Sequence, residues 1–361
     1  MPAYQLNPLP PKTDLESREI LKKAAQAHRY LAELKGVSQT IPNQGILINS
    51  LGLQEAKDSS AIENIITTQD ELFKHGLFPE IRLNPAAKEV RNYAQALKKG
   101  FNQVRKSGML TSNSILDIQS ELIKNNAGYR KLPGTELKSD QTGETIYTPP
   151  QNAEDILRLM TNLERYINDD DILPIDPLIK MAVIHHQFES IHPFYDGNGR
   201  AGRIINILYL VQKKLLNIPV LYLSRYIIKN KNDYYRLLQE VRDKGAWEEW
   251  ILFILTGVEQ TSRQTIHIIQ KIRELMLEYK HKIRGQYRFY SQDLLNNLFF
   301  HPYTKIDFLR RDLKISRITA TKYLNELVKG KFLKSKKTGK SIYYINHRLF
   351  NVFSRVPEVK G

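Results

Sequence analysis

The sequence of 361 residues contains no cysteine. Disulfides, thiolate zinc sites and cysteine nucleophiles are excluded, and the absence fits a reducing compartment. No uninterrupted apolar run approaches the ~20 residues that a membrane-spanning helix needs. The N-terminal stretch MPAYQLNPLPPK lacks the basic start and apolar core of a secretion signal. These absences predict a cytoplasmic protein without a membrane partner. Acidic residues are the scarcer charge: 38 Asp+Glu face 54 Lys+Arg, a formal net charge of +16. The surplus is concentrated, since residues 301–361 hold 15 Lys+Arg against 4 Asp+Glu. The basic character therefore marks one end of the chain and bears on its partners. A hydrophobic share of 41% is that of a globular chain, and the length suits two or three domains.

No internal repeat is visible, and apolar residues recur at three- and four-residue steps from residue 15 to about 278. The expected fold class is mainly α: a helical core with a small β-hairpin, followed by a C-terminal winged helix-turn-helix. Leu15, Ile20, Leu21, Ala24, Leu31 and Leu34 predict an amphipathic helix over 13–35, capped at Thr13-Asp14. The polar and glycine residues of PNQGILINS predict a break over 42–50, with a helix resuming over 53–62. Further helices are predicted near 86–106, 112–126, 153–168, 177–190, 198–216 and 234–255. Glycine and proline bracket residues 128–150, where Thr142-Gly143 predicts a hairpin over 134–147. Four units result: an N-terminal helical section over 1–110, a core over 111–257, a linker helix over 258–287 and a basic module over 288–361.

The chemistry is concentrated in HPFYDGNGRAGR at 192–203. Pro193 ends the preceding apolar helix. Gly197 and Gly199 let backbone N–H groups approach an anion, and the next helix points its positive end at the same place. Arg200 and Arg203 lie three apart and share a face, suited to polyphosphate oxygens; Asp196 supplies a hard oxygen ligand for Mg²⁺. His192 is the titratable base near neutral pH. Gly197, Gly199 and Gly202 also satisfy G-x-G-x-x-G, but a helix with two histidines precedes them where a strand is needed, which rejects the dinucleotide reading. His185, His186, Glu189 and His192 lack the order of a zinc site, so His185 and His186 read as structural.

HPFYDGNGRAGR resembles the signature of the Fic family, H-P-F-x-D/E-G-N-G/K-R-x-x-R, at every fixed position. SSAIENIITTQDEL (59–72) and the segment 220–255 are similar to the family's flanking sections. The resemblance implies a protein adenylyltransferase that moves AMP from Mg-ATP to a Tyr, Ser or Thr hydroxyl of a target protein or of itself. In it His192 deprotonates the hydroxyl, Phe194 anchors the loop and Asp196 holds Mg²⁺. Asn198 with the amides of Gly197 and Gly199 grips phosphate, while Arg200 and Arg203 neutralise the β- and γ-phosphates. The hairpin becomes a flap, with Glu136, Leu137 and Lys138 presenting an edge to the target chain. Tyr234 and Tyr235 line an adenine pocket or, as aromatics on an amphipathic helix, belong to the core. Ser59, Glu63 and Asn64 match S/T-x-x-x-E-G/N, which implies an inhibitory helix and a contact of Glu63 with Arg203. Removal of AMP, transfer of another phosphate-containing group, and a regulator that uses the core as a nucleotide sensor stay open, as does a homodimer.

Residues 304–346 predict a winged helix-turn-helix. Ala320, Leu324 and Leu327 face inward, and Arg317, Thr321, Lys322 and Asn325 lie on the second helix with the exposed face outward. Lys334, Lys336, Lys337 and Lys340 cluster at the wing. The set is the electrostatic footprint of a DNA binder or, in the blander reading, of a protein-docking module.

Overall fold

The structure, a computed structural model, describes residues 6–77, 84–138, 142–338 and 341–354. Helix α1 (Arg18–Ser38) starts at Ser17, whose Oγ accepts from the Ile20 N–H at 3.3 Å, and not at the predicted Thr13-Asp14 cap. Its apolar stripe of Ile20, Ala24, Ala27, Leu31 and Leu34 is buried. The predicted break over 42–50 shrinks to Pro42-Asn43. The Asn43 side chain caps Gly45 at 3.0 Å and α2 (Gln44–Ile62) begins there, because Ile46, Leu47 and Leu51 gain full burial in a helix. Helices α3 (Gln69–Leu77), α4 (Pro85–Ser107) and α5 (Ser112–Ile123) complete the N-terminal section. Gly100 lets α4 meet α5 and the later helix that carries Leu208, since a Cβ there would lie 2.5 Å from Leu208 Cδ1 and 2.9 Å from Ile118 Cδ1.

Strands β1 (Leu137–Lys138) and β2 (Thr145–Tyr147) pair antiparallel as a minimal hairpin. Residues 139–141 of that predicted hairpin lie outside the described residues. Then follow α6 (Ala153–Asn168), α7 (Pro177–Ile191), α8 (Asn198–Gln212), α9 (Leu223–Lys229), α10 (Lys231–Lys244) and α11 (Trp247–Gln286). The helix predicted over 234–255 is divided, because Gly245 adopts the left-handed conformation at φ 66°. Conversely, the expected boundary at 257/258 lies inside α11, a continuous 40-residue helix that packs along α1. Buried α7 forms the axis of the core: every residue from Leu178 to Ile191 is buried.

The C-terminal module consists of α12 (Gln292–Phe300), β3 (Tyr303–Thr304), α13 (Ile306–Leu313), α14 (Arg317–Lys329), β4 (Lys334–Thr338), β5 (Ser341–Ile345) and α15 (His347–Ser354). Its strands form an antiparallel sheet of order β3-β5-β4. Ala320, Leu324 and Leu327 face inward as expected. The module is docked on the core: Tyr303 donates to Asp70 Oδ1 at 2.5 Å, and Phe73 packs against the rings of Tyr303, Phe350 and Phe353. Of the nucleic-acid candidates, Arg317, Lys322, Asn325, Lys336 and Lys337 are exposed. Several are engaged within the chain: Arg317 pairs with Asp307 at 3.8 Å, Thr321 donates to the Arg317 carbonyl, and Asn325 accepts from Tyr344. Lys340 lies outside the described residues. Among the described residues no helix is long and apolar enough to cross a membrane.

Candidate active site

The C-terminus of α7 sets the frame. His192 closes it in the left-handed conformation, φ 47° and ψ 58°, with its N–H bonded to the Phe188 carbonyl. Pro193 prevents continuation. Phe194 is fully buried against Tyr129 and Phe188, with ring centroids 5.4 and 6.3 Å away. Asn198 accepts from the Phe194 N–H at 2.8 Å and donates to its carbonyl at 2.7 Å. Its side-chain amide therefore staples the loop. Gly197, at φ 80°, precedes α8 without supplying a side-chain cap. The first turn of α8 therefore receives no side-chain cap, the condition under which its N–H groups can meet an anion. Gly199 is required by crowding: a Cβ there would lie 2.4 Å from Glu63 Oε1 and 3.0 Å from Arg203 Nη1.

A cavity of about 830 Å³ opens between α2, the hairpin, α8 and α10. It is lined by His192, Gly199, Arg203, Glu63, Asn64, Tyr234 and Tyr235, and by Glu136, Leu137 and Lys138 of the hairpin. Burial, helped by the charges of Arg130 and Arg242, pushes the His192 imidazole down to about 4. It is neutral near pH 7 and able to take a proton. Arg203 is held on three sides. Its Nε donates to Ser59 Oγ at 2.8 Å, and its Nη2 donates to the Ser59 carbonyl at 3.0 Å and to Glu63 Oε1 at 2.8 Å. The predicted Glu63–Arg203 contact is present, although Glu63 is the C-cap of α2 rather than a mid-helix residue. Burial pulls the Glu63 carboxyl upward, but Arg203 outweighs it and holds the group below the usual 4.5. Asn64 is left-handed at φ 61° and accepts from Lys231 at 3.2 Å.

Tyr234 and Tyr235 differ in role. Tyr234 is 1% exposed and its hydroxyl meets His185 Nε2 at 2.9 Å, whereas Tyr235 is 43% exposed at the rim. His185 and His186 are buried beside Trp247 and Trp250, and burial lowers both, His185 to about 3. Arg200 and Asp196 are not among the residues lining the cavity. Arg200 is buried and bonded to Glu89 of α4 at 2.7 Å, so its expected phosphate contact requires release of that partner. Asp196 is two-thirds exposed; its Oδ1 accepts from the Gly197 N–H at 2.6 Å and faces Arg200 at 3.4 Å. Among the described residues no group of three ligating side chains could hold a metal. A lone carboxylate suits Mg²⁺ carried on a polyphosphate, whose remaining ligands are phosphate oxygens and water.

Two buried groups were given no role by the sequence: Glu189 entered only a rejected zinc set, and Arg130 not at all. Glu189, one turn before His192, lines the cavity, and burial pushes its carboxyl up to about 7. The signal was Gly202, where a Cβ would lie 2.4 Å from Glu189 Oε1. Arg130, fully buried, bonds the carbonyl of His192 at 2.7 Å. Nothing in GYRK marks it out.

Residues 21–102 match the family model "Fic/DOC family N-terminal", residues 109–210 "Fic/DOC family", and residues 275–349 "Protein adenylyltransferase SoFic-like, C-terminal domain". The protein adenylyltransferase Fic of Drosophila erecta is 27% identical over 130 residues, 36% of this chain and 25% of that protein. Its namesake in Aedes aegypti is 26% identical over 158 residues, 44% of this chain and 30% of that protein. The chain thus matches at most about a third of the length of these curated relatives. A crystal structure of a Fic family protein from Desulfovibrio desulfuricans superposes over 93% of this chain and 98% of its own, with a TM-score of 0.61 at 20% identity. At that identity the likeness concerns the fold alone.

Proposed function

The chain belongs to the Fic/DOC family, and on that basis we propose that it transfers AMP from Mg-ATP to a hydroxyl of a protein, itself included, and is restrained by Glu63. The observation that carries this reading is a single cavity holding a neutral, buried His192 and the guanidinium of Arg203. His192 accepts the proton of the attacking hydroxyl, whose oxygen forms a bond to the α-phosphorus while the bond to the departing pyrophosphate breaks. Arg203 and the uncapped first-turn amides of α8 meet the charge of the phosphates. Asp196 would hold Mg²⁺ together with the nucleotide, and the ion would supply charge neutralisation on the leaving group. The short hairpin of β1 and β2 offers a backbone edge to an extended target segment beside the cavity. Tyr235 at the rim and Tyr234 behind it form the wall for the base. In the resting chain Glu63 occupies the arginine that the terminal phosphate requires. The 288–361 module acts as a winged helix-turn-helix that docks DNA or a partner protein, and the enzyme works in the cytoplasm.

Intact-mass spectrometry of the full chain and of its Glu63→Gly variant, after incubation with Mg-ATP, tests the reading. The expected result is an AMP-sized addition to the variant or to a supplied protein target. If neither the chain nor any protein of a cell extract acquires AMP, the proposal is wrong.

A further inference from the structure

Arg130 is a cation sealed inside the molecule with 0% of its surface exposed. Buried cations ordinarily have acidic partners. Among the described residues no carboxylate forms an ion pair with Arg130; its donors go to backbone carbonyls instead. The Nε bonds the His192 carbonyl at 2.7 Å, and Nη2 bonds the Ile191 carbonyl at 3.3 Å and that of Pro150. The Arg130 N–H completes the set on the Pro193 carbonyl at 2.8 Å. Three of these four carbonyls belong to consecutive residues of the His192 turn. The fourth lies three residues beyond β2.

Local chemistry explains why such a fork is needed. The last carbonyls of a helix have no intrahelical donors, and Pro193 brings none. A histidine in the left-handed region, here at φ 47°, carries backbone strain that persists only where the surroundings over-determine it. The planar guanidinium satisfies several carbonyls from one rigid group, which a lysine ammonium does not reproduce. The neighbours reinforce it. Tyr129 packs on Phe194, and the Tyr195 hydroxyl accepts from the N–H groups of Lys131 and Leu132 at 2.9 and 3.1 Å. Residues 129–132 and 191–195 are thereby laced together.

We propose that Arg130 is a positioning residue: it fixes the left-handed turn that presents the His192 imidazole to the cavity and ties that turn to the base of the hairpin. The inference rests on the reading of His192 as the base. The charge adds a second effect. Arg130 Nη1 has no acceptor, so part of the positive charge is left uncompensated near the imidazole. Burial lowers the His192 pKa most, Arg130 and then Arg242 on α10 lower it further, and the Glu189 carbonyl and the Glu63 carboxylate at the end of α2 oppose them. Arg130 therefore helps to keep the base unprotonated.

The test uses Arg130→Met and Arg130→Lys in the full chain carrying Glu63→Gly. The His192 titration is followed by NMR on histidine-labelled protein, alongside kcat, KM for ATP and the urea midpoint. For Arg130→Met the His192 midpoint rises by about one pH unit and kcat falls on the order of 100-fold, while KM changes little. Arg130→Lys keeps the low midpoint but recovers only part of kcat, because one ammonium cannot replace the fork. Should Arg130→Met fail to fold, the lysine variant decides alone: a kcat equal to that of the parent overturns the proposal. In a folded Arg130→Met, so does an unchanged His192 midpoint with unchanged kcat. If the parent itself never labels protein, the transfer reading has failed, whereas the titration still reports whether Arg130 controls His192.

Discussion

The bond between Glu63 and Arg203 permits a graded prediction. It is a charge-assisted hydrogen bond at 2.8 Å, a type that contributes about 1.5–3 kcal/mol. The Glu63 side chain is 34% exposed, so solvent screening confines the contribution to about 1.5–2 kcal/mol. If ATP must displace Glu63 to reach Arg203, deleting the carboxylate raises the rate at subsaturating ATP by about 10- to 30-fold, at 1.4 kcal/mol per factor of ten. Glu63→Gly realises that gain. Glu63→Gln keeps a carbonyl for the guanidinium but loses the charge, so about 5-fold is expected. Depression of the Glu63 pKa fixes the sign of the pH effect. Restraint by the ionised carboxylate is complete above its ordinary 4.5 and is lost only as pH falls through the lower folded value. The ratio of Glu63→Gly to wild type is accordingly constant between about pH 6 and 8. Initial rates with α-phosphate-labelled ATP measure the series, with Glu63→Gly/His192→Ala as the blank. Equal rates for wild type and Glu63→Gly, or a glutamine variant faster than the glycine one, would refute the clamp.

His192→Ala lowers labelling by about 10²–10⁴-fold while ATP affinity, measured by calorimetry, is retained; labelling at the parent rate contradicts the role of His192 as base. Asp196→Ala removes activity, as does excess chelator with the unmodified chain, and labelling that persists in chelator excludes metal-assisted transfer. Gly202→Ala pushes a methyl to within 2.4 Å of Glu189 Oε1 and 3.1 Å of Phe188 Cδ1. Urea unfolding should register about 1–3 kcal/mol of destabilisation, relieved in Gly202→Ala/Glu189→Ala; an unchanged midpoint would show that Glu189 does not fill that space. If the C-terminal module grips DNA, duplex affinity of the full chain falls steeply with salt, and replacing Lys322 and Lys337 by glutamine flattens the slope. An absence of duplex binding at low salt favours protein docking.

The legible part of the site was the part carried by contiguous residues. HPFYDGNGRAGR marks the loop, and the match at Ser59, Glu63 and Asn64 implies the contact of Glu63 with Arg203 that is found; the bond of Arg203 to Ser59 Oγ is added by the fold. Residue type alone does not reveal direction, however. Asn198 reads equally well as a phosphate ligand or as a loop staple, and only the fold turns its amide inward onto Phe194. Arg130 was invisible for another reason: its partners lie about 20 and 60 residues away in sequence. In the fold, glycine misled in one place and informed in another. Gly257 directly precedes the boundary expected at 258, yet α11 runs through it; a Cβ there would lie 2.8 Å from Leu223 and Tyr226, so this glycine serves close packing rather than a break. Gly245, within a run read as one helix, is the true break.

The unbroken course of α11 has a mechanical meaning. At about 1.5 Å per residue its 40 residues span roughly 60 Å. Trp250, near its start, stacks on His185 behind the cavity, and Tyr279, near its end, bonds the Phe332 carbonyl and Asn346 of the C-terminal module. The helix is thus a gauge rod rather than a tether. If the module holds a target protein, as proposed, that target is offered to His192 at one distance and one bearing, instead of at the average concentration that a flexible linker would give. Under that proposal, which residue of the target is reached is a question of length as well as of sequence.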